Sequence, residues 1–140
     1  RLLSLADEPD WVKVHKVMWR GFNHGDNPDM SSDELTMRQK MLDTATALRD
    51  LKIVVAAPDG DFVSICGMFY LPQGRYGYVE PVATDPDYRR MGLGKAAVLE
   101  GIRRCAESGA VEAFVGSNQP FYLALGFEVQ YITQYWQKPI

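Results

Sequence analysis

The feature that most constrains this chain is the turn Asp85-Pro86-Asp87-Tyr88-Arg89-Arg90-Met91-Gly92-Leu93-Gly94-Lys95. A strand pattern from Tyr76 to Thr84 precedes it, and Val98, Leu99, Ile102, Cys105 and Ala106 then recur at helical spacing as far as Gly109. The turn therefore opens a helix N-terminus, where the first N–H groups lack intrahelical acceptors and the macrodipole is positive. Such a terminus binds anions. Gly92 and Gly94 let the main chain come close to a ligand, and Arg89, Arg90 and Lys95 bring charge that matches a phosphate. A pyrophosphate cradle is the expectation. Burial of Val98, Leu99 and Ile102 would contribute roughly 1.5–3 kcal/mol each before entropy and anchor the turn.

The 140 residues fit a single domain, 1–140, with 46% hydrophobic and 24% charged residues, enough to bury a core. A net charge of −3 argues against general nucleic-acid binding, which needs a basic face to displace counterions. The arginine pair is a local feature. No run of about 18 apolar residues marks a membrane span, so no membrane partner is expected. Cys66 and Cys105 sit in apolar patterns that suggest buried, reduced thiols and a cytoplasmic protein. No metal site is expected, because His15 has no ligand partner at metal spacing. The chain begins with Arg1 rather than Met, which suggests a piece of a longer parent.

Asp7-Glu8-Pro9-Asp10 reads as a helix start, followed by Trp11, His15, Met18, Trp19 and Phe22 at helical spacing and an end near Gly21. Residues 21–28 form a polar loop. A second helix starts around Ser31-Ser32-Asp33-Glu34 and carries Leu35, Met41, Leu42 and Ala45 as an incomplete apolar stripe. Ile53 to Ala57 and Phe62 to Leu71 read as a hairpin across Pro58-Asp59-Gly60-Asp61. In the second strand Phe62, Cys66, Met68 and Tyr70 on one face, and Val63, Ile65, Phe69 and Leu71 on the other, imply burial on both sides. In the Tyr76–Thr84 strand Pro81 cannot donate to a ladder, so pairing must fail there by a bulge or a splay. Val111 to Val115 reads as a strand, Asn118 as the cap of a helix over Pro120 to Leu125, and Phe127 to Tyr135 as a final alternating strand.

Two familiar phosphate motifs fail on the turn. A P-loop needs Gly where Arg89 stands and Ser or Thr where Ala96 stands. The Rossmann reading, Gly92-x-Gly94-x-x-Ala97, leaves seven residues between Thr84 and Gly92 and finds no acid at the end of the next strand. Arg89-x-x-Gly92-x-Gly94 after a strand instead resembles the acyl-CoA signature of the GNAT superfamily of N-acetyltransferases. Asn118 with Phe121-Tyr122-Leu123-Ala124-Leu125-Gly126-Phe127 is similar to the family's Tyr-x-x-x-Gly-Phe element, and the order of elements matches as well.

The resemblance covers roughly Ala6 to Tyr135. It implies an α/β (α+β) fold: a mixed, mostly antiparallel sheet of about five strands flanked by about four helices. The family's first strand would have to lie in Arg1 to Leu5 and its closing strand in Gln137 to Ile140, so both edge strands look missing. A longer parent chain or a second subunit of a homodimer are the two sources of an edge partner that the pattern leaves open.

The resemblance also implies transfer of an acetyl group from acetyl-CoA (coenzyme A) to a small-molecule or peptide amine by direct attack. Val82, Ala83 and Thr84 would bond the pantetheine arm through main-chain groups. The N–H groups of Arg90, Met91, Gly92, Leu93, Gly94 and Lys95, with Arg89 beside them, would hold the pyrophosphate. Asn118 would contact the cofactor or cap its helix. Tyr122 matches the family's acid for the departing thiolate, a phenol that keeps its proton at neutral pH. Tyr122 also suits a purely packing role.

An alkyl amine with a pKa of about 10.4 must lose a proton before it attacks. Glu80 is the candidate base, placed by period-2 alternation on the face of Tyr78, Val82 and Thr84 as a partly buried carboxylate. Trp19, Phe22, Asn23, His24 and Asp26 come from the region that lines the acceptor pocket in this family. The rival expectation is a catalytically silent acyl-CoA-binding, regulatory module. Glu80 and Tyr122 both favour the enzyme, since a silent copy has no chemical reason to retain either.

Overall fold

The computed structural model describes residues 1–44 and 48–139. One five-stranded sheet runs in the order β1 (Leu2–Ser4), β2 (Lys52–Ala56), β3 (Phe62–Leu71), β4 (Tyr76–Thr84), β5 (Glu112–Phe114). The first four strands pair antiparallel and β4 pairs β5 parallel. Helices α1 (Trp11–Gly21) and α2 (Ser32–Leu42) cover one face. Helix α3 (Leu93–Glu107) covers the other, and the single turn α4 (Pro120–Leu123) joins it there.

Local chemistry accounts for the element starts. Asp10 caps α1 by accepting from Lys13 N at 3.0 Å, and Ser31 caps α2 by accepting from Glu34 N at 3.4 Å. Leu42 is fully buried with Val14, Val17 and Met18, whereas Met41 is exposed, so α2 is held by one side only. Ala45 lies outside the described residues.

Five strands and four helices agree with the expected fold, but their membership differs. The first strand is present: Leu2, Leu3 and Ser4 pair with Val55, Val54 and Ile53. Leu5 anchors it, fully buried and donating its N–H to Lys52 O at 2.9 Å. Phe127 to Tyr135, by contrast, forms no strand. Alternating side chains become a strand only against a sheet edge, and β5 pairs with β4 alone. Phe127 packs on Tyr122, its ring centroid at 5.8 Å, while Tyr131, Ile132 and Tyr135 stay exposed. Residues 137–139 are likewise irregular.

Two bulges overturn the simple two-face reading of the strands. Val55 pairs Ser64 and Ala56 pairs Phe62, so Val63 is the extra residue. Val63 consequently joins Cys66 and Met68 under α3, and Phe62 joins Ile65 under α1. On β4 the register moves from Cys66↔Val82 to Met68↔Val79, which sets Glu80 and Pro81 together against Gly67. A Cβ on Gly67 would stand 2.4 Å from Glu80 O and 2.7 Å from Pro81 Cδ. Only glycine fits there.

Helix α3 approaches the sheet through small residues. Ala97, Val98, Gly101 and Cys105 are buried, and a Cβ on Gly101 would meet Met68 Cγ at 2.7 Å. Leu99, expected in the buried stripe, is exposed because this close-packed line runs along the adjacent side of the helix. Ala106 is exposed for the same reason.

Candidate active site

Asp85 builds the turn after β4. Its N–H donates to Val63 O at 3.0 Å, and its side chain accepts from Asp87 N at 3.0 Å to cap the 3₁₀ turn Pro86–Tyr88. The main chain then passes through the left-handed region at Arg90 (φ 62°) and again at Gly92 (φ 78°), the N-cap of α3. These two residues aim successive N–H groups outward. Among the described residues, none of the N–H groups from Arg90 to Lys95 donates to a main-chain carbonyl, and the first such bond is Ala96 N to Gly92 O at 2.9 Å. Six donors without a main-chain acceptor among the described residues thus lie at the positive end of a 15-residue helix. Gly94 is buried, its Cβ position 3.1 Å from Thr84 Oγ1, so the helix start is seated against the end of β4.

The arginine pair is divided in use. Arg89 turns back onto the protein, donating from Nε to Thr84 O at 3.3 Å and from Nη2 to Gly21 O at 2.9 Å and Asn23 Oδ1 at 3.0 Å. Its charge is engaged by the end of α1 instead of pointing to an anion. Arg90, Met91 and Lys95 are exposed, and Leu93 packs partly against the α3 core.

Beside the cradle the sheet opens. β4 and β5 pair from Tyr76↔Glu112 to Tyr78↔Phe114, and among the described residues the outer edge of β4 beyond Tyr78 has no strand partner. A groove of about 950 Å³ lies on the β5 and α4 side of this divergence, lined among others by Tyr78, Asn118, Tyr122, Leu123 and Phe127 but not by Glu80, Val82 to Thr84 or Arg89 to Lys95. Val82 packs into the α3 core, Ala83 is buried toward α1, and the Thr84 hydroxyl meets Ser64 Oγ at 2.9 Å.

Tyr122 lines that groove and is 8% exposed. Phe121 and Phe127 flank its ring edge-on, at 5.0 and 5.8 Å. Burial first, and then the charges that Cys66, Glu80 and Tyr78 carry once ionised, push its phenol above the ordinary value of 10.0. It therefore keeps its proton through neutral pH. Asn118 lines the groove but caps nothing: Gln119 is the N-cap of α4, without a side-chain bond. Pro at the first helical position supplies the start instead.

Glu80 is exposed, not partly buried. The bulge also breaks the alternation that was expected to align it with Val82 and Thr84, since Val79 and Val82 enter the same core cluster. The Tyr122 phenol nonetheless feels its charge.

On the α1 side, Trp19 is half-buried between His15 and His24, with ring centroids at 5.7 and 5.2 Å. Phe22, His24 and Asp26 are exposed, and Asp26 is paired with Arg20. The two thiols are buried and free, and burial pushes Cys66 up to about 12 and Cys105 to about 11. Neither is a nucleophile at neutral pH.

Sequence reasoning missed Arg20, whose Nε lies 2.6 Å from Asp85 Oδ2 and whose Nη2 lies 2.7 Å from Asp87 Oδ2. It also missed Lys52, a fully buried amine that donates to Met68 O. A break in the hydrophobic pattern at the start of β2 was the available signal for the lysine. Nothing in sequence spacing joins Arg20 to a residue 65 positions away. Among the described residues no helix is long and apolar enough to cross a membrane, and no cluster of metal-ligating side chains occurs.

A turn of main-chain donors at a helix start, next to two parting strands, sits on a mixed, mostly antiparallel sheet. The chain belongs to the acetyltransferase (GNAT) family, whose model matches residues 11–127. A glucosamine 6-phosphate N-acetyltransferase of Trypanosoma brucei brucei is 32% identical over 84 residues, covering 54% of this chain and 57% of the relative. The match thus spans little more than half the length of that curated relative. Among solved structures, an acetyltransferase from Trypanosoma brucei superposes with a TM-score of 0.71 at 24% identity, covering 99% of both chains. The glucosamine-6-phosphate N-acetyltransferase of Arabidopsis thaliana gives 0.69 at 16% identity, over 98% of this chain and 97% of that one. At these identities the superpositions establish the fold.

Proposed function

We propose that this protein is an acetyl-CoA-dependent N-acetyltransferase that passes the acetyl group directly to the amine of a small phosphorylated amino sugar within a ternary complex. The observation that carries the reading is the run of six N–H groups from Arg90 to Lys95 without main-chain acceptors. Donors so arranged suit a pyrophosphate, and the unpaired outer edge of β4 beyond Tyr78 suits an extended amide-bearing arm. Bound there, acetyl-CoA supplies an acetyl thioester.

The chain's own groups handle the protons. As the amine nitrogen bonds the acetyl carbon and the carbon–sulfur bond breaks, the amine proton leaves to Glu80, through water given that residue's exposure. Tyr122 gives its phenol proton to the sulfur. The amino-sugar assignment follows the name of the 32% identical relative. The two buried thiols suit a reducing compartment such as the cytoplasm.

Thiol release from acetyl-CoA across glucosamine 6-phosphate, glucosamine, spermidine and a peptide with a free N-terminus tests the assignment. Release should be fastest with glucosamine 6-phosphate. Tight coenzyme A binding with no acceptor-dependent release would point to a silent binding module.

A further inference from the structure

The cofactor turn and the α1–α2 loop leave the fold from one point. Gly21, the last residue of α1, lies against the end of β4, so close that a Cβ would stand 2.8 Å from Ala83 Cβ and 3.0 Å from Thr84 N. From this junction the chain runs outward twice. Residues 22–31 carry Phe22, Asn23, His24 and Asp26, and residues 85–92 lead to the N–H cradle.

Two arginines cross between these segments. Arg20, near the end of α1, holds Asp85 with Nε at 2.6 Å and Nη2 at 3.3 Å, holds Asp87 at 2.7 Å, and pairs with Asp26 in the loop. Arg89, from the turn, reaches the other way to Gly21 O, Asn23 Oδ1 and Thr84 O. Gly21 O is among the last carbonyls of α1, so a cation there also meets the negative end of the helix. The Arg89 contacts are two main-chain carbonyls and one amide oxygen. The planar guanidinium reaches these three acceptors from two fixed nitrogens, Nε and Nη2, whereas an ammonium group offers its donors from one atom on a flexible stem. The loop side is correspondingly constrained: Asn23 sits at φ 61°, its side chain held by the turn.

We propose that Arg20 and Arg89 are positioning residues that tie loop 22–31 to the cofactor turn, so that filling the Arg90–Lys95 cradle orders the loop for the acceptor. The proposal rests on the coenzyme A reading of the cradle. An anion held by the N–H groups of 90–95 fixes the segment that carries Asp85, Asp87 and Arg89, and these three hold Gly21, Arg20 and Asn23. Because binding free energies are reciprocal, the acceptor in turn tightens the cofactor by the same factor.

Hydrogen exchange of the full chain, with and without saturating coenzyme A, tests this without knowledge of the acceptor. In the native protein, exchange should slow in the peptide covering 90–95 and, by ~5-fold or more, in the peptide covering 22–31. In Arg89→Ala and Arg89→Lys the 90–95 peptide should still be protected while the loop loses most of its response. Asn23→Gly, which keeps the backbone conformation and removes one acceptor, should give an intermediate loss. Arg89 is exposed, so these variants leave the core intact; Arg20 is better left in place, because its removal would strand the buried Asp85 carboxylate. A native loop that ignores coenzyme A while 90–95 is protected would overturn the proposal, as would an undiminished loop response in Arg89→Ala. Loss of protection at 90–95 in that variant at saturation would make Arg89 a cofactor ligand and also refute it. An absence of protection at 90–95 in the native protein would instead remove the coenzyme A reading itself.

Discussion

Lys52 gives the fold a measurable dependence on alkaline pH. Its side chain is fully buried, donates to Met68 O, and holds its amine 4.1 Å from the centroid of Phe69. No carboxylate within ion-pair distance offsets the charge among the described residues. Burial therefore lowers its pKa from 10.5 to about 8. At about 1.4 kcal/mol per tenfold change in proton affinity, that drop corresponds to ~3 kcal/mol. Between the two values the unfolded chain binds the proton and the folded chain does not, so stability rises with pH across this window. The contribution is fully present above 10.5 and is lost as pH falls through about 8. Other groups titrate there too, including Cys66, Cys105 and Tyr122, whose raised values work in the opposite sense. Comparison with Lys52→Met cancels Tyr122 and the part of the thiol titration that does not depend on Lys52, which itself lowers both thiols. Urea unfolding of both proteins from about pH 7 upward should show the native protein gaining ~3 kcal/mol relative to the variant by the top of the window. A difference that stays flat would refute the burial of an unpaired amine.

Three further perturbations act on Tyr122, on the β3–β4 bulge and on the surface of α3. Tyr122→Phe keeps the packing of a residue that is 8% exposed and removes its proton, so kcat should fall ~10²-fold or more with the melting temperature unchanged. Gly67→Ala forces a Cβ to 2.4 Å from Glu80 O, a backbone atom that cannot step aside, and should cost ~1–3 kcal/mol in urea unfolding. Glu100 is hydrogen-bonded by Arg103 and Arg104, the former foremost in lowering its carboxyl from 4.5 to about 2. Its depressed value stabilises the fold above 4.5, so Glu100→Gln should cost ~1 kcal/mol or less at neutral pH, and the difference should fade in acid unfolding as pH drops to about 2.

The parts of the fold that local chemistry dictates were legible in the sequence. Asp10 and Ser31 cap their helices, the glycine-rich turn opens α3, and Pro81 marks the failure of regular pairing on β4. The consequence of that failure was not legible. An inserted residue reverses the face of everything beyond it, which is why Phe62 and Val63 exchanged sides and why Glu80 is out of line with Val82. Bulge positions depend on the partner strand, here on Gly67 against Glu80 and Pro81, a pairing that single-strand periodicity does not contain.

The tail from Phe127 misled for a related reason. Its alternation matches a strand, yet no register pairs it with β5. The site divides along the same line. The cradle follows from residues adjacent in sequence, and Tyr122 from a compact motif. The staples made by Arg20 and Arg89 join segments 65 to 68 residues apart, and only the folded chain brings them together.

On the proposed reading, an acetyl group passes straight from the coenzyme to an amine in the groove beside Tyr122. Incubation with acetyl-CoA labelled in its acetyl carbons and with glucosamine 6-phosphate, followed by mass spectrometry of acceptor and protein, tests it most directly. Label should appear on the acceptor amine in proportion to thiol released, with none left on the enzyme. Label retained covalently on the protein, or thiol released with the label appearing only as free acetate, would contradict it.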